Sequence, residues 1–227
     1  MSHYEKAWQA VGERIERAVA AAGRPRGSVQ LLAVSKTFPA AAVRAVYAGG
    51  QRAFGENHVQ EASAKRQLLA DLPDVEWHLI GPLQGNKARL AAETFAWVES
   101  VDRLKIAERL SDLRPRDLPP LDVCVQVNIS GEATKSGVAP GEVVALARAV
   151  SVLPRLRLRG VMGIPAPTND PTQQRAQFRR LRECFDDCVA AGLPLDTMSM
   201  GMSADLDAAI AEGSTQVRVG TAIFGKR

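Results

Sequence analysis

The chain runs Leu31-Leu32-Ala33-Val34-Ser35-Lys36 before it breaks at Thr37-Phe38-Pro39. Its apolar residues do not alternate with polar ones, and turn-forming residues bound them, which is typical of a buried strand in a parallel sheet. Lys36 stands at the exit of this predicted strand, so its stem should pack while its amine faces a pocket above the sheet. The stretch therefore predicts an α/β fold and one candidate functional amine.

Burial would make the amine of Lys36 a reactive nucleophile. Burial lowers the pKa of a lysine because the charged form loses hydration, so the neutral nucleophile becomes accessible near neutral pH. A desolvated lysine in a pocket forms Schiff bases with carbonyl compounds, pyridoxal phosphate (PLP) among them. The alternative is a strand-end lysine that snorkels to solvent.

Strand-like runs alternate with helical patterns along the whole chain. The eight strands are predicted near 30–35, 52–55, 76–80, 97–101, 121–128, 157–162, 196–200 and 216–219, and the helices at 4–22 and near 40–49, 57–70, 85–92, 103–113, 140–152, 172–191 and 204–212. This alternation implies a parallel sheet with right-handed crossovers, and eight strands are the number that closes a barrel. A doubly wound open sheet is the competing architecture, but no Gly-x-Gly-x-x-Gly turn follows the first strand to support it.

Composition argues against several classes of function. The 227 residues are 46% hydrophobic and carry a net charge of +4. This length allows one large domain or two small ones, and α/β barrels commonly run this long as a single domain. Aromatic residues are too sparse to interleave with the basic clusters, so no nucleic-acid partner is expected. No apolar stretch reaches the length of a membrane span and no signal pattern opens the sequence, so we expect a soluble cytoplasmic protein. The three cysteines and three histidines lack zinc-site spacing, so no metal is expected.

Polar residues and glycines follow seven of the eight predicted strands. In a (β/α)8 barrel these strand ends share one mouth, where such barrels hold their functional residues. The motifs are Lys36, Phe54-Gly55-Glu56-Asn57, Trp77-His78-Leu79-Ile80-Gly81-Pro82, Asn128, Met162-Gly163-Ile164-Pro165, Ser199 and Arg218. Each is weak alone, because asparagine and glycine are common turn residues. Together they predict a site.

The loops after strands seven and eight predict an anion site. Ser203 precedes a helical stretch, where it should act as the N-cap and, with nearby amides and the helix dipole, meet an anion. Gly220 permits close backbone approach, and Gly220 and Thr221 can offer amide donors. The alternative is an ordinary cap and an ordinary tight turn. Barrels often bind phosphate at this position, which favours the anion site.

Arg218, on the eighth strand, offers the most discriminating chemistry. Its guanidinium stays protonated under any accessible condition. Facing the pyridine nitrogen of a cofactor, it would keep that nitrogen unprotonated, and the ring would be a poorer electron sink for carbanion chemistry. A structural pairing with a carboxylate is the alternative.

Segments spread in order over essentially the whole chain resemble those of the pyridoxal phosphate homeostasis protein family. They are Leu31-Leu32-Ala33-Val34-Ser35-Lys36, Phe54-Gly55-Glu56-Asn57, Trp77-His78-Leu79-Ile80-Gly81-Pro82-Leu83-Gln84, Asn128-Ile129-Ser130, Lys135-Ser136-Gly137, Gly201-Met202-Ser203 and Val217-Arg218-Val219-Gly220-Thr221-Ala222-Ile223-Phe224-Gly225. The resemblance implies a single PLP-binding TIM barrel over residues 1–227, similar to the amino-terminal domain of fold-type III enzymes such as alanine racemase. It also implies an additional amino-terminal helix and no second β domain.

The resemblance further implies which residues contact pyridoxal 5'-phosphate. Lys36 would hold the cofactor as an internal aldimine, and Arg218 would meet its pyridine nitrogen. The residues after strands seven and eight would hold the phosphate, and Asn57 matches the family motif at the pocket wall. Phe38 and His58 depart from the family, whose members often carry lysine and tyrosine there. The full expected set is Lys36, Asn57, Ser203, Arg218, Gly220 and Thr221.

The same resemblance favours a carrier over an enzyme, so no catalytic residue is expected. A two-base racemase needs a second acid or base on the opposite face of the aldimine, which in alanine racemases is a tyrosine from a second domain. This sequence has only Tyr4 and Tyr47, both on predicted helices. The expected role is intracellular PLP homeostasis by a monomer, with PLP-dependent apoenzymes as recipients.

Three hypotheses stay beside this role. The protein could be a weak racemase for a small amino acid, or a module that binds a partner protein, although no exposed apolar stripe supports the latter. Lys135, in the loop after strand five, is either a secondary aldimine acceptor during transfer or a solvated loop lysine.

Overall fold

Eight parallel strands close into a barrel at the centre of the computed structural model, which describes residues 2–132 and 135–226. Neighbouring strands pair in chain order, and β1 pairs with β8 to close the ring. The strands are β1 (Gln30–Val34), β2 (Ala53–Glu56), β3 (Glu76–Leu79), β4 (Trp97–Val101), β5 (Leu121–Val127), β6 (Leu156–Gly163), β7 (Thr197–Ser199) and β8 (Gln216–Val219). The predicted (β/α)8 barrel is confirmed, and the doubly wound alternative is wrong.

Helices surround this barrel. They are α1 (His3–Ala21), α2 (Ala40–Ala48), α3 (Val59–Leu68), α4 (Ala88–Thr94), α5 (Leu104–Leu113), α6 (Val143–Ser151), α7 (Pro171–Ala190), α8 (Leu206–Ala211) and α9 (Thr221–Phe224), with 3-10 turns at Gly85–Lys87 and Pro140–Glu142. In the part of the chain that the structure describes, none of the helices is both long and apolar enough to span a membrane.

The additional amino-terminal helix is present as predicted. Ser2 and Glu5 form a capping box at the start of α1, which satisfies amides that the first helical turn leaves free. Val11, Ile15 and Val19 recur every four residues and are buried on one face. This face packs against α2, α8 and α9, so α1 covers the barrel beside the last strand.

Two separate apolar clusters result from the alternation of side chains along the strands. Most buried apolar residues pack between the outer face of the barrel and the helices. A smaller cluster inside the barrel contains Trp97, Cys124 and Met162. Gly160 is required on the inner surface, because a Cβ there would lie 1.7 Å from the carbonyl oxygen of Thr197. The interior of the barrel is therefore packed between its two ends.

Candidate functional site

A cavity of about 520 Å³ opens at the carboxyl-terminal mouth of the barrel. Pockets of this size hold small organic ligands. All six residues expected from the sequence line it: Lys36, Asn57, Ser203, Arg218, Gly220 and Thr221. Apolar side chains complete the wall: Ile80 and Ile164, which belong to the predicted strand-end motifs, and Val34, Phe38 and Met202, which those motifs do not include. Strand alternation places Val34 and Ile80 on the inner face and is the signal that could have identified them.

Lys36 lies two residues after the end of β1 and is half-buried at the cavity wall. The next residue, Thr37, has a φ of 69°, a left-handed conformation that β-branched residues rarely adopt. The backbone therefore turns sharply directly after Lys36. Lys36 thus lines the cavity close to the exit of β1.

Asn57 owes its position to a glycine in the loop that follows β3. A Cβ at Gly81 would lie 2.3 Å from the carbonyl oxygen of Asn57, so the chains leaving β2 and β3 are in direct backbone contact. Only glycine permits this approach. Sequence analysis had treated Gly81 as a turn residue, and its packing role is a finding of the structure.

Arg218 lies inside the barrel and is only 4% exposed. Its Nη1 donates to the carbonyl oxygen and to the hydroxyl of Ser199, each at 2.7 Å, and its Nη2 donates to the carbonyl oxygen of Gly163 at 2.8 Å. Burial lowers the pKa of Arg218, and the charges of Glu99 and Asp205 oppose that shift. Among the described residues no carboxylate pairs directly with it, so the alternative of a structural ion pair does not hold.

A wholly buried carboxylate lies beneath Arg218. Glu99 on β4 accepts hydrogen bonds from Ser199 Oγ and Gln216 Nε2, each at 2.6 Å, and contacts His78 Nδ1 at 2.7 Å. Desolvation would raise the pKa of Glu99, but the hydrogen bond and charge of His78 and the charge of Arg218 lower it below its ordinary value. Desolvation would lower the pKa of His78, but the carboxylates of Glu76, 3.9 Å from its Nε2, and Glu99 raise it. The barrel interior thus holds a charged network under the cavity.

Three strand-end residues predicted at the mouth do not line the cavity. His78 and Ser199 belong to the buried network below it, because the side chains of both point into the barrel and contact Glu99. Asn128 instead closes its own loop, where its Nδ2 donates to the carbonyl oxygens of Glu132 and Lys135. Sequence position along a strand was too coarse to separate the mouth from the layer beneath it.

The expectation that Ser203 caps a helix is wrong. Helix α8 begins at Leu206 with Asp205 at the N-cap position, and the Asp205 carboxylate accepts the Met202 amide at 2.6 Å. This local turn delays the start of the helix by two residues. Ser203 nevertheless lines the cavity, while its carbonyl oxygen accepts a hydrogen bond from Arg14 Nη1 at 2.7 Å.

The helix that begins at the cavity is α9. Gly220 is its N-cap residue, and the first amides of a helix have no partner within the helix. A Cβ at Gly220 would lie 3.0 Å from the Val34 carbonyl oxygen, so this glycine also lets β8 leave the barrel close to β1. The two predicted donors, Gly220 and Thr221, are thus at the mouth, on the helix after strand eight.

We searched the described residues for groups of side chains that could bind a metal ion. Within residues 2–132 and 135–226, no group of three or more His, Cys, Asp or Glu side chains is arranged to hold a metal ion. The residues that line the cavity include a lysine, an arginine and glycines.

Fold and site together define a class. The chain is a barrel of the alanine racemase amino-terminal type: the family model described as alanine racemase, N-terminal domain, matches residues 8–227. An alanine racemase from Clostridium difficile 630 has the same fold, with a TM-score of 0.77 at 13% identity over 95% of this chain and 56% of that chain.

Sequence and structure comparisons identify the family to which this barrel belongs. A pyridoxal phosphate homeostasis protein from Pseudomonas aeruginosa is 61% identical over 96% of this chain and 93% of that protein. The protein of the same name from Escherichia coli K12 is 50% identical over 96% of this chain and 94% of that protein. PipY from Synechococcus elongatus, solved with PLP bound, superposes with a TM-score of 0.80 at 42% identity, covering 93% of this chain and 100% of that chain. The chain belongs to the pyridoxal phosphate homeostasis protein family.

Proposed function

We propose that this protein binds PLP reversibly in the cytoplasm, holds it as a Schiff base on Lys36, and releases it as a monomer to PLP-dependent apoenzymes. The observation that carries the proposal is the convergence of all six expected residues on one cavity of suitable size. PipY, which is 42% identical, has been solved with PLP bound. The names of the relatives, which describe homeostasis rather than catalysis, support a carrier.

The donor set fits the chemical groups of PLP. Bound PLP supplies an aldehyde, which a primary amine converts to a Schiff base with loss of one water. Lys36 offers that amine, and the Arg218 guanidinium is a donor-only group suited to an unprotonated pyridine nitrogen. Ser203, Gly220 and Thr221 offer a hydroxyl and amides for a phosphate.

A carrier role agrees with the positions of the tyrosines. Tyr4 packs against Phe224 with ring centroids 5.9 Å apart, and the Tyr47 hydroxyl donates to Asp74 on the outside of the barrel. Neither tyrosine lines the cavity. No tyrosine is therefore placed to act as the second base that two-base racemisation requires.

The role of Lys135 as a secondary aldimine acceptor is still a hypothesis. It does not line the cavity, and its carbonyl oxygen accepts a hydrogen bond from Asn128 Nδ2 at 3.3 Å. A secondary acceptor role predicts that Lys135→Ala slows transfer of PLP to an apoenzyme. An unchanged transfer rate assigns Lys135 to the solvated loop.

Borohydride reduction in the presence of PLP, followed by peptide mass spectrometry, tests the proposal. The expected result is one stoichiometric adduct on Lys36. Lys226 also lines the cavity, so Lys226→Ala is the matched control and should keep the adduct. An adduct on Lys226, or adducts scattered over surface lysines, would refute the assignment. Incubation with single-enantiomer amino acids in deuterated water separates a carrier from a racemase, which would give sustained α-deuteration with racemisation.

A further inference from the structure

A buried lysine lies behind the turn that carries Lys36. Lys65 on α3 is 6% exposed, and its Nζ donates to three oxygens: the Ser35 carbonyl at 2.8 Å, Glu56 Oε1 at 2.7 Å and Glu61 Oε1 at 2.7 Å. An ammonium has three N–H donors, so these partners satisfy Lys65 completely. One of them is the backbone of the residue that precedes Lys36.

The residue that follows Lys36 is held by the same cluster. Glu61 Oε1, which accepts from Lys65, also accepts the backbone amide of Thr37. Thr37 is the residue with a left-handed φ of 69°. A conformation that is unfavourable for threonine persists only when its surroundings fix it. Lys65 and Glu61 thus hold the backbone on both sides of Lys36.

Charge balance makes Lys65 necessary to this cluster. Glu56 is wholly buried, accepts from Ser35 Oγ at 2.6 Å, and leaves its Oε2 without a hydrogen-bond partner. Desolvation raises the pKa of Glu56, while the hydrogen bonds from Lys65 and Ser35 oppose the rise. Desolvation also acts on Glu61, but its hydrogen bonds with Lys65 and Thr37 lower its pKa. One cation therefore stabilises two carboxylates.

The cluster is outside the cavity. Side chains alternate along β1, so the Ser35 hydroxyl contacts Glu56 on the outer face while Lys36 lines the cavity. None of the cluster residues, Ser35, Thr37, Glu56, Glu61 and Lys65, is among the cavity-lining residues. The hydrogen bonds that Lys65 and Glu61 make to the neighbours of Lys36 run to the backbone of the turn.

We propose that Lys65 and Glu61 are positioning residues for the Lys36 amine, because they fix the turn from which the side chain enters the cavity. The proposal rests on the proposed function, since the placement serves Schiff-base formation with PLP. That reaction joins Lys36 Nζ to the aldehyde carbon and expels the aldehyde oxygen as water. Its rate depends on how well Nζ is aligned with that carbon.

Two substitutions of Glu61 test the proposal with little risk to folding, because this side chain is partly exposed. Glu61→Ala removes the acceptor shared by Thr37 and Lys65. Glu61→Gln removes the same charge but keeps an Oε1 with two lone pairs for both donors. Asp71→Ala, which breaks a surface ion pair with Arg44, is the unrelated control.

The kinetic readout is the absorbance change on mixing with PLP. Glu61→Ala should slow Schiff-base formation about tenfold, while Glu61→Gln and Asp71→Ala stay close to the unsubstituted protein. Pyridoxine 5'-phosphate, which lacks the aldehyde, should bind all four proteins equally. An unchanged rate in folded Glu61→Ala would overturn the proposal, as would an equal loss of binding for both ligands.

A second readout needs no PLP. Hydrogen exchange of the Thr37 amide should be faster in Glu61→Ala than in Glu61→Gln, because only the alanine variant loses the acceptor. If the unsubstituted protein forms no Schiff base but the exchange rates differ as expected, the proposed function fails and the turn-holding role stands. If the Schiff base forms and neither rate nor exchange changes in Glu61→Ala, the positioning role fails and the proposed function stands.

Discussion

Arg218 donates to both oxygens of Ser199, each at 2.7 Å, and Ser199 alone separates the guanidinium from the Glu99 carboxylate. The Ser199 hydroxyl donates its one proton to Glu99 Oε2 at 2.6 Å and accepts from Arg218. The guanidinium is thus oriented without a direct ion pair. Its charge is balanced one hydroxyl away, and it stays at the floor of the cavity.

Replacement of Arg218 should affect both the ligand and the fold. In Arg218→Ala the Ser199 and Gly163 carbonyl oxygens lose their donors and Glu99 loses its nearby cation, so we expect a loss of about 3–5 kcal/mol of stability. PLP binding should weaken and the absorption spectrum of bound PLP should change, because the ring nitrogen loses its donor. Titration with PLP followed by absorbance, beside urea unfolding, measures both. An unchanged spectrum in folded protein would place Arg218 away from the ring.

Replacement of Lys36 should affect the ligand alone. Lys36 is half-buried at the cavity wall and is not part of either apolar cluster, so Lys36→Ala should change the free energy of unfolding by less than about 1 kcal/mol. The Schiff-base absorbance should disappear, while pyridoxine 5'-phosphate should still bind. Retained Schiff-base absorbance would point to another lysine, and Lys36→Ala combined with Lys226→Ala would identify it.

The His78–Glu99 pair should make stability depend on pH. The pKa of His78 is raised above 6.5 in the folded state, so its contribution is full below pH 6.5 and is lost as pH rises through the raised value. The pKa of Glu99 is lowered below 4.5, so its contribution is present above pH 4.5 and is lost as pH falls through the lowered value. The pair therefore stabilises the protein most between pH 4.5 and pH 6.5.

Urea unfolding from about pH 5 to about pH 9 checks this dependence. His78→Asn keeps a donor near the Nδ1 position but does not titrate, so the stability advantage of the unsubstituted protein should shrink as pH rises above 6.5. His58→Asn, at an exposed position, is the control. A stability difference that is flat across the range would show that folding does not raise the pKa of His78.

Much of the fold could be predicted from the sequence because strand periodicity and turn residues are local signals. The site was predicted as a set of strand ends, and Lys36 and Arg218 line the cavity as expected. Ser203 does not act as an N-cap, because the Asp205 side chain accepts the Met202 amide in the same turn. The residue types alone do not show which of the two residues takes the N-cap position. Glu61 and Lys65 lie four residues apart on α3, a spacing typical of a surface ion pair, but the packing of α3 on β2 and α4 buries Lys65.

The hydrogen-bond partners of Glu99 inside the barrel could not be predicted from the sequence either. Every residue of β4 is buried, so the carboxylate must be satisfied by partners on other strands. Those partners, His78, Ser199 and Gln216, are 21, 100 and 117 residues away in sequence. A charged residue in a buried strand signals that partners exist but does not identify them.

Gly81 should be intolerant of the smallest side chain. In Gly81→Ala the new Cβ would lie 2.3 Å from the Asn57 carbonyl oxygen, and backbone on both sides prevents relief by a rotamer change. We expect a loss of about 3 kcal/mol of stability, at the upper end of overpacking costs, and weaker binding of pyridoxine 5'-phosphate because Asn57 moves at the cavity wall. Gly12→Ala is the matched control: a Cβ there meets nothing within 4 Å, and the helical position should gain about 0.5–1 kcal/mol. Urea unfolding of both variants measures the contrast, and a Gly81→Ala protein as stable as Gly12→Ala would contradict the close contact between the β2 and β3 exits.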